Sequence, residues 1–329
     1  MLDIDGKRQV LRWGLSCLKD KGYGKPTSEP QVVVDTHWSY VISLKTSKGY
    51  VYLKAMPEMI ALEPAIIEKL QRVFEAKVPT IIDVNQDLSC FLMAGAGQSL
   101  RSVLKKTFDE DLLSRAIEQF VHLQIATASR LEPLLEIGVP DWRLDKMPGL
   151  FKEFLQREAL LLADGVLQEE IASAQNCLPK VAHWCELLAQ YPVPASISQP
   201  DCNDNNTLVD LKTQVITTID LGEVVISHPF FSLHNMLYQA KKHHAQEEGT
   251  QVYSKLHSAC FKRFQAIYKD EQSLKHAIKI AGSLFYVYWL LSNDRLIQAC
   301  GQKNILTYQP GRMRKELQAF LVTCQNDKQ

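Results

Sequence analysis

The sequence predicts an α+β fold of two lobes, with a five-stranded antiparallel sheet and one helix in the N-terminal lobe and mainly helices in the C-terminal lobe. Three observations lead to this prediction. Strand-like segments concentrate before residue 95, helical periodicity dominates from about residue 100, and a short β-rich stretch at 194–226 divides the helices. We place the lobe boundary in the connector AGAGQ, so that residues 1–94 and 95–329 are two lobes of one domain.

The first lobe is predicted from strands on either side of one amphipathic helix. QVVVD, YVISL and YVYLKA are rich in β-branched and aromatic residues, and a Lys48-Gly49 turn joins the last two. A helix is predicted over 63–76, where apolar residues recur at helical spacing and Pro64 suits the first turn. VPTIIDV and LSCFLMA then supply the fourth and fifth strands.

The second lobe is predicted to be helical over about 100–190, with interruptions at GVPDWR and KMPG, and again from Phe230 to the end. The most apolar segment, Ile280–Leu291, is shorter than the roughly 20 residues that a bilayer requires. We therefore expect a buried helix there and no membrane association.

Composition limits the partners and the compartment. The 37 basic and 37 acidic side chains cancel, so no overall field favours nucleic acid or an anionic membrane. The 8 cysteines form no Cys-x-x-Cys pair, which indicates reduced thiols, and the N-terminal segment lacks a hydrophobic signal core. We expect a cytoplasmic protein, and nothing in the sequence predicts its oligomeric state.

Two residues of the first lobe are candidates for binding a phosphate group. Lys54 ends an apolar strand that would aim its ammonium into a cleft, and Glu63 begins the next helix, where it could pair with Lys54. Glu68 is a second candidate for that pairing. The alternatives are a lysine that extends from an edge strand to solvent and a glutamate that complements the helix dipole.

Three polar residues of the β-rich stretch have the spacing of a phosphoryl-transfer site. Asp201 precedes Asn206 by five positions, as in the Asp-x-x-x-x-Asn loop in which the aspartate is the base and the asparagine binds metal. Asp220 follows fourteen residues later at the end of the next strand, and a hairpin would return it beside Asn206 as a Mg²⁺ ligand. The alternatives are an Asp/Asn-rich turn and a strand-terminal cap.

Several motifs together resemble the aminoglycoside phosphotransferase family. IDLGEVVISHPFFSL and QPDCNDNNTLV are similar to its two signature segments, and WSYV, YLKA, the Glu-Pro helix start and VPDWRLDKMP occur in the family order between about residues 30 and 240. The resemblance implies a protein-kinase-like fold and transfer of the γ-phosphate of ATP or GTP, with Mg²⁺, to a hydroxyl of a small molecule.

The resemblance also assigns site residues. Lys54 would bind the phosphates, Glu63 would hold Lys54, Asp201 would be the catalytic base, and Asn206 and Asp220 would bind Mg²⁺. The nucleotide would also contact the strand-turn before Val41 and the connector, at Trp38, Ser39, Met93, Ala94, Gly95 and Ala96.

Two departures from the family pattern leave an alternative open. Gln199 replaces the histidine that usually orients the catalytic loop, and Leu221 replaces an aromatic residue. A nucleotide-binding pseudokinase with a regulatory role is therefore the alternative function. A protein kinase is disfavoured because no Asp-Phe-Gly and Ala-Pro-Glu pair delimits an activation segment.

The acceptor is not predicted beyond a small hydroxyl compound. Family members act on aminoglycosides, amino alcohols, homoserine and sugars, and an aminoglycoside would call for acidic residues such as Asp204, Glu223, Glu247 and Glu248.

Three further features of the sequence are interpreted as structural rather than catalytic or metal-binding. These are Cys202 as a packing residue, His228 as a hydrogen-bonded residue at a helix start, and His243-His244 as part of a solvated helix face.

Overall fold

The computed structural model describes residues 2–268 and 270–326, and its first lobe is an antiparallel sheet in the order β1-β2-β3-β5-β4. The strands are β1 (Gln31–Asp35), β2 (Tyr40–Thr46), β3 (Gly49–Ala55), β4 (Ile81–Asn85) and β5 (Cys90–Ala94). All five correspond to predicted segments. Their apolar, β-branched residues supply the buried faces that make a half-covered sheet stable.

Two helices cover this sheet, one more than predicted. Helix α2 (Glu63–Phe74) matches the expected helix and buries Ile66, Ile67 and Leu70. The additional helix, α1 (Ile4–Asp20), packs on the opposite side, where Gly14 lies so close that an added Cβ would be 2.8 Å from Leu53. The sequence analysis did not predict α1, although Val10, Gly14, Cys17 and Leu18 recur at helical spacing and are buried on one face of it.

The second lobe contains most of the helices. They are α3 (Leu100–Leu104), α4 (Glu110–Ala128), α5 (Glu132–Leu135), α6 (Met147–Leu155), α7 (Glu158–Ala163), α8 (Gln168–Asn176), α9 (Leu178–Ala189), α10 (Phe230–His244), α11 (Gln251–Gln265), α12 (Glu271–Cys300), α13 (Gln302–Tyr308) and α14 (Arg312–Asn326). One predicted interruption is wrong: KMPG begins α6, because Pro148 fits the first turn of a helix.

Short strands carry the loops of interest. They are β6 (Gln98–Ser99), β7 (Ser196–Ser198), β8 (Thr207–Val209), β9 (Ile216–Thr218) and β10 (Val225–Ser227). Strands β8 and β9 form an antiparallel hairpin that β6 extends, and β7 pairs with β10. The segment before the Asp201 loop is therefore hydrogen-bonded to the segment after Asp220.

The core explains the most apolar part of the sequence. The predicted buried segment lies within α12, where Leu284, Val287, Tyr288 and Leu290 are fully buried. Within the described residues, no helix is long and apolar enough to cross a membrane.

Candidate active site

Lys54 connects the sheet to the second lobe. It is 6% exposed, and its Nζ lies 2.5 Å from a carboxylate oxygen of Glu63 and 2.5 Å from one of Asp220. Burial opposes its charge, but Asp220 and Glu63 together raise the pKa of Lys54 above its usual range. Glu68 instead pairs with the exposed Arg72, so Glu63 is the partner that the structure provides.

Asp220 stands beside Asn206 through the predicted hairpin. The backbone N–H of Ile219 donates to the Asn206 carbonyl at 3.0 Å, directly beyond the β8–β9 pairing. Asp220 has a φ of 59°, a left-handed conformation that costs energy in a residue other than glycine. Such conformations concentrate at functional sites, and this one turns the Asp220 side chain back toward Lys54.

Asp201 is held by two amides. Asn203 Nδ2 donates to one carboxylate oxygen at 2.7 Å, and Asn206 Nδ2 donates to the other at 2.8 Å. Burial and the neighbouring Asp220 raise the pKa of Asp201 to about 6, while the bond from Asn206 opposes the rise. A carboxylate with that pKa accepts a proton near neutral pH more readily than an ordinary aspartate does.

The donor set fits a hard divalent cation. Because a carboxylate can only accept hydrogen bonds, the amide nitrogen of Asn206 faces Asp201, and its Oδ1 remains for a cation. Asp220 supplies a carboxylate, and its side chain is 43% exposed. Carboxylate and amide oxygens suit Mg²⁺, whose remaining ligands are usually waters and phosphate oxygens. The described residues contain no cluster of three or more His, Cys, Asp or Glu side chains arranged to hold a metal alone.

Gln199 joins the loop of Asp201 to the backbone of Asp220. Its buried side-chain Nε2 donates to the Asp220 carbonyl at 2.7 Å and to the Ile219 carbonyl at 3.1 Å. Its own backbone N–H donates to the Ser232 hydroxyl at 2.8 Å. The glutamine thus provides a bridge between the two loops at the position where the sequence lacks the expected histidine.

The connector has two unpaired backbone donors. The N–H of Ala94 donates to Thr80 and that of Gly95 to Tyr50, so neither is available. Among the described residues, the N–H groups of Ala96 and Gly97 donate to no protein acceptor. Met93 packs against the main core, and Gly97 lies so close to β8 that an added Cβ would meet a backbone oxygen at 2.3 Å.

The β1–β2 turn reaches the second lobe. Ser39 and Thr36 close this turn through two hydrogen bonds, one from each backbone N–H. The Trp38 ring contacts Tyr308, which ends α13, edge to face at 5.2 Å. Trp38 also lines a cleft with Asp201, so the turn lies at the entrance to the candidate site.

That cleft has a volume of about 1440 Å³ and extends from Asp201 between α10, α11, α12 and the start of α14. Glu223 and Glu248 line it, as the sequence suggested for an acceptor pocket. Burial, Asp220 and Asp201 raise the pKa of Glu223 to about 7. The cleft is large enough for a small-molecule acceptor next to the carboxylate of Asp201.

Other sequence interpretations need correction. Asp204 does not line the cleft but accepts bonds from Arg101 and lies 2.7 Å from His244. The side chain of His244 is therefore buried rather than solvated, at 3% exposure. Glu247 pairs with Lys241. The local sequence around His244 could not reveal that its partner is Asp204, which lies forty residues earlier in the chain.

Two structural interpretations agree with the contacts. Cys202 is 3% exposed, and burial raises the pKa of its thiol well above the usual value, so it is an unreactive packing residue. Burial lowers the pKa of His228 to about 3, and its Nδ1 accepts from the Phe230 N–H at the start of α10. No sequence pattern distinguishes Asn203, which is one polar residue among several in its loop.

Solved structures with the same architecture include three small-molecule phosphotransferases. An aminoglycoside phosphotransferase, APH(2")-IIia, in complex with GDP and kanamycin aligns with a TM-score of 0.58 at 15% identity, over 96% of this chain and 99% of that one. Macrolide 2'-phosphotransferase type I aligns at 0.60 with 11% identity, over 95% and 98%. Plasmodium vivax ethanolamine kinase aligns at 0.59 with 12% identity, over 90% and 82%.

The chain has the protein-kinase-like fold. The fold resemblance predicted from the sequence is confirmed, although no family model and no curated protein matches the sequence significantly. At identities of 11–15%, the similarity establishes the architecture alone. In a chain with this fold, the activity depends on the side chains between the sheet and the helices.

Proposed function

We propose that this protein transfers the γ-phosphate of ATP or GTP to a hydroxyl group of a small molecule. The observation that carries the proposal is the meeting of Lys54, Glu63, Asp201, Asn206 and Asp220 beside one cleft. These residues come from the sheet, a helix and two loops. Separate structural roles would explain each residue singly but give no reason for their convergence.

The arrangement supports a simple division of labour. Asp201 accepts the hydroxyl proton as the acceptor oxygen bonds to the γ-phosphorus, and the bond from that phosphorus to the bridging oxygen breaks. Lys54 holds phosphate oxygens after leaving Asp220, with Glu63 keeping it charged. Asn206 and Asp220 would hold Mg²⁺, which neutralises phosphate charge when bound. The products are a phosphate ester and ADP or GDP.

The nucleotide would lie against the connector and the β1–β2 turn. The N–H of Ala96 is a donor available to a base, with Met93, Ala94 and Gly95 forming the adjacent wall. Trp38, which lines the cleft, and its neighbour Ser39 would border the phosphates. We retain the division into lobes at 1–94 and 95–329 as part of this proposal, with the nucleotide between them.

Nucleotide binding is the first test. We expect ATP or GTP with Mg²⁺ to raise the unfolding temperature, and EDTA to remove most of the increase. Asp220→Asn should weaken the Mg²⁺-dependent part, whereas Asp210→Asn, in the turn of the β8–β9 hairpin, should not. Absence of stabilisation at millimolar nucleotide and Mg²⁺ would remove the basis of the proposal.

A pseudokinase remains the second candidate because of Gln199 and Leu221. The bonds from Gln199 to the Asp220 and Ile219 carbonyls favour the enzyme, since they supply the orienting contact that the missing histidine would make. A screen that measures ATP consumption across small hydroxyl compounds separates the two functions. Phosphorylation of any acceptor, with loss of transfer in Asp201→Asn, supports the enzyme.

A further inference from the structure

The charges of the acceptor cleft are balanced. Its lining contains four acidic and four basic side chains: Asp201, Glu223, Glu248, Glu316, Lys241, Lys242, Arg312 and Lys315. The cleft offers a polycation no excess of negative charge, because carboxylates and cations are equal in number. Burial also raises the pKa of Glu223 to about 7, so that this carboxyl is partly neutral at physiological pH.

Arg312 is placed in this cleft by a capped helix start. The buried carboxylate of Asp164 accepts the backbone N–H groups of Gly311 and Met313 at 2.7 Å and that of Arg314 at 3.2 Å. These bonds satisfy the first donors of α14 and fix the turn around Arg312. The helix N-terminus is therefore occupied, and the feature facing the cleft is the Arg312 side chain.

The guanidinium of Arg312 has donors to spare. It lies over the Trp289 ring, 5.3 Å from the centroid, and one nitrogen donates to the Gln309 side chain. Within the described residues, no carboxylate lies at ion-pair distance from it. Arg295, by contrast, uses its guanidinium on the carbonyls of Gly222, Glu223 and Val224.

Arg312 and the candidate base Asp201 line the same cleft. Burial lowers the pKa of Arg312, while Glu223, Glu316 and Asp201 act on it in the opposite direction. Arginine remains protonated in either case. A planar cation held against an aromatic face, with unused N–H groups in the cleft that the candidate base lines, has the features of a carboxylate or phosphate receptor.

We infer that Arg312 binds an anionic group of the acceptor, so that the acceptor is a hydroxy compound carrying a carboxylate or a phosphate. The inference rests on the proposed function, because it treats the ligand of this cleft as the phosphate acceptor. It deepens that function by choosing among substrate classes: hydroxy acids and sugar or polyol phosphates are favoured over polycationic and quaternary-ammonium alcohols. The contact of Arg312 with Trp289 already occupies one aromatic face that such an ammonium group could use.

Binding without nucleotide tests the inference independently of phosphate transfer. Calorimetric titrations of the full chain would compare glycerol, D-glycerate, glycerol 3-phosphate and choline. We expect at least one anionic probe to bind about tenfold or more tightly than glycerol and choline. The glycerate and glycerol 3-phosphate arms distinguish a carboxylate receptor from a phosphate receptor.

Variants assign the effect to the guanidinium. Arg312→Gln should weaken the preferred anionic probe by about tenfold or more, and Arg312→Lys should recover only part of the loss because a lysine cannot bind bidentately. Arg314→Gln is the matched control, since Arg314 pairs with Glu170 and does not line the cleft. Circular dichroism would check that each variant is folded.

Two results would overturn the inference: no anionic probe preferred over glycerol by the wild type, or a preference that survives Arg312→Gln in a folded protein. Nucleotide titration of the same samples keeps the two proposals apart. A wild-type protein that binds the anionic probe through Arg312 but shows no Mg²⁺-dependent nucleotide binding would contradict the proposed function. The same result would support an anion site at Arg312.

Discussion

The side-chain amide of Gln199 donates to the backbone carbonyl of Asp220 across 2.7 Å. This bond joins the loop of the candidate base to the loop of the candidate metal ligand. The same amide nitrogen donates a second hydrogen bond to the Ile219 carbonyl. Gln199 is 1% exposed, and loss of its amide would leave the carbonyls of Ile219 and Asp220 without the donor that the folded chain supplies.

The effect of replacing Gln199 on turnover should therefore depend on whether the new side chain can donate a hydrogen bond. We expect Gln199→His to change turnover by less than about tenfold, since one orienting contact replaces another. Gln199→Leu should lower turnover by about tenfold or more and also reduce stability. Steady-state rates with an acceptor from the screen provide the measurement. An inactive wild type beside an active Gln199→His variant would instead favour the pseudokinase.

The pair of Lys54 and Glu63 should respond to single and double substitution differently. Lys54→Met leaves the carboxylate of Glu63 buried without a cation, and we expect a loss of about 3–5 kcal/mol in the free energy of unfolding. Lys54→Met combined with Glu63→Gln should recover a large part of that loss but no activity.

Urea denaturation measures both effects, with Glu68→Gln as the control because Glu68 is exposed and forms a surface ion pair with Arg72. We expect the control to stay within about 0.5 kcal/mol of the wild type. Equal stability of Lys54→Met and the wild type would mean that the ion pair is not formed in solution.

Asp201→Asn should separate chemistry from binding. As the proton acceptor, Asp201 should matter for transfer, so turnover should fall by about a hundredfold or more. Nucleotide affinity should change little, because Asp201 is not among the proposed phosphate or metal ligands. Parallel rate and binding measurements test this, with Asp210→Asn, in the turn of the β8–β9 hairpin that follows the Asp201 loop, as a control. A variant with nearly wild-type turnover would show that the base lies elsewhere.

The same substitution should reveal the raised pKa of Asp201. Its folded-state pKa of about 6 exceeds the unfolded value of about 4. The folded protein therefore binds this proton more tightly, and the contribution of Asp201 to stability falls as pH rises from about 4 to about 6 and stays low above that.

The difference in unfolding temperature between Asp201→Asn and the wild type should accordingly become more favourable to the mutant from pH 5 to pH 8. The expected increase is a few degrees, corresponding to about 1–2 kcal/mol. Scanning fluorimetry without metal or nucleotide measures it. A difference that is constant with pH would indicate that Asp201 titrates normally.

The sequence predicted well those features that depend on local pattern. All five strands of the sheet, helix α2 and the hairpin that returns Asp220 to Asn206 follow from alternation, helical spacing and short loops. The register that places Lys54 opposite Phe91 was not predicted, because alternation excludes a slip by one residue but not a slip by two.

Features that depend on long-range contacts could not be predicted. The burial of His244 against Asp204 and the capping of α14 by Asp164 join residues that are far apart in the chain. Arg312 was not identified because an arginine at a helix start has many ordinary explanations. Its position over Trp289 depends on how α12 and α14 pack, which no short motif encodes.

The pairing of β7 with β10 has a consequence for movement. Backbone hydrogen bonds tie the chain before Asp201 to the chain after Asp220, and Gln199 adds a side-chain tie. These bonds should make the candidate base and the candidate metal ligands move together, whereas Lys54 lies on the sheet of the first lobe. When the two lobes move apart, the distance between Lys54 and Asp220 should increase. Energy transfer between fluorophores on β3 and β10 would measure this opening.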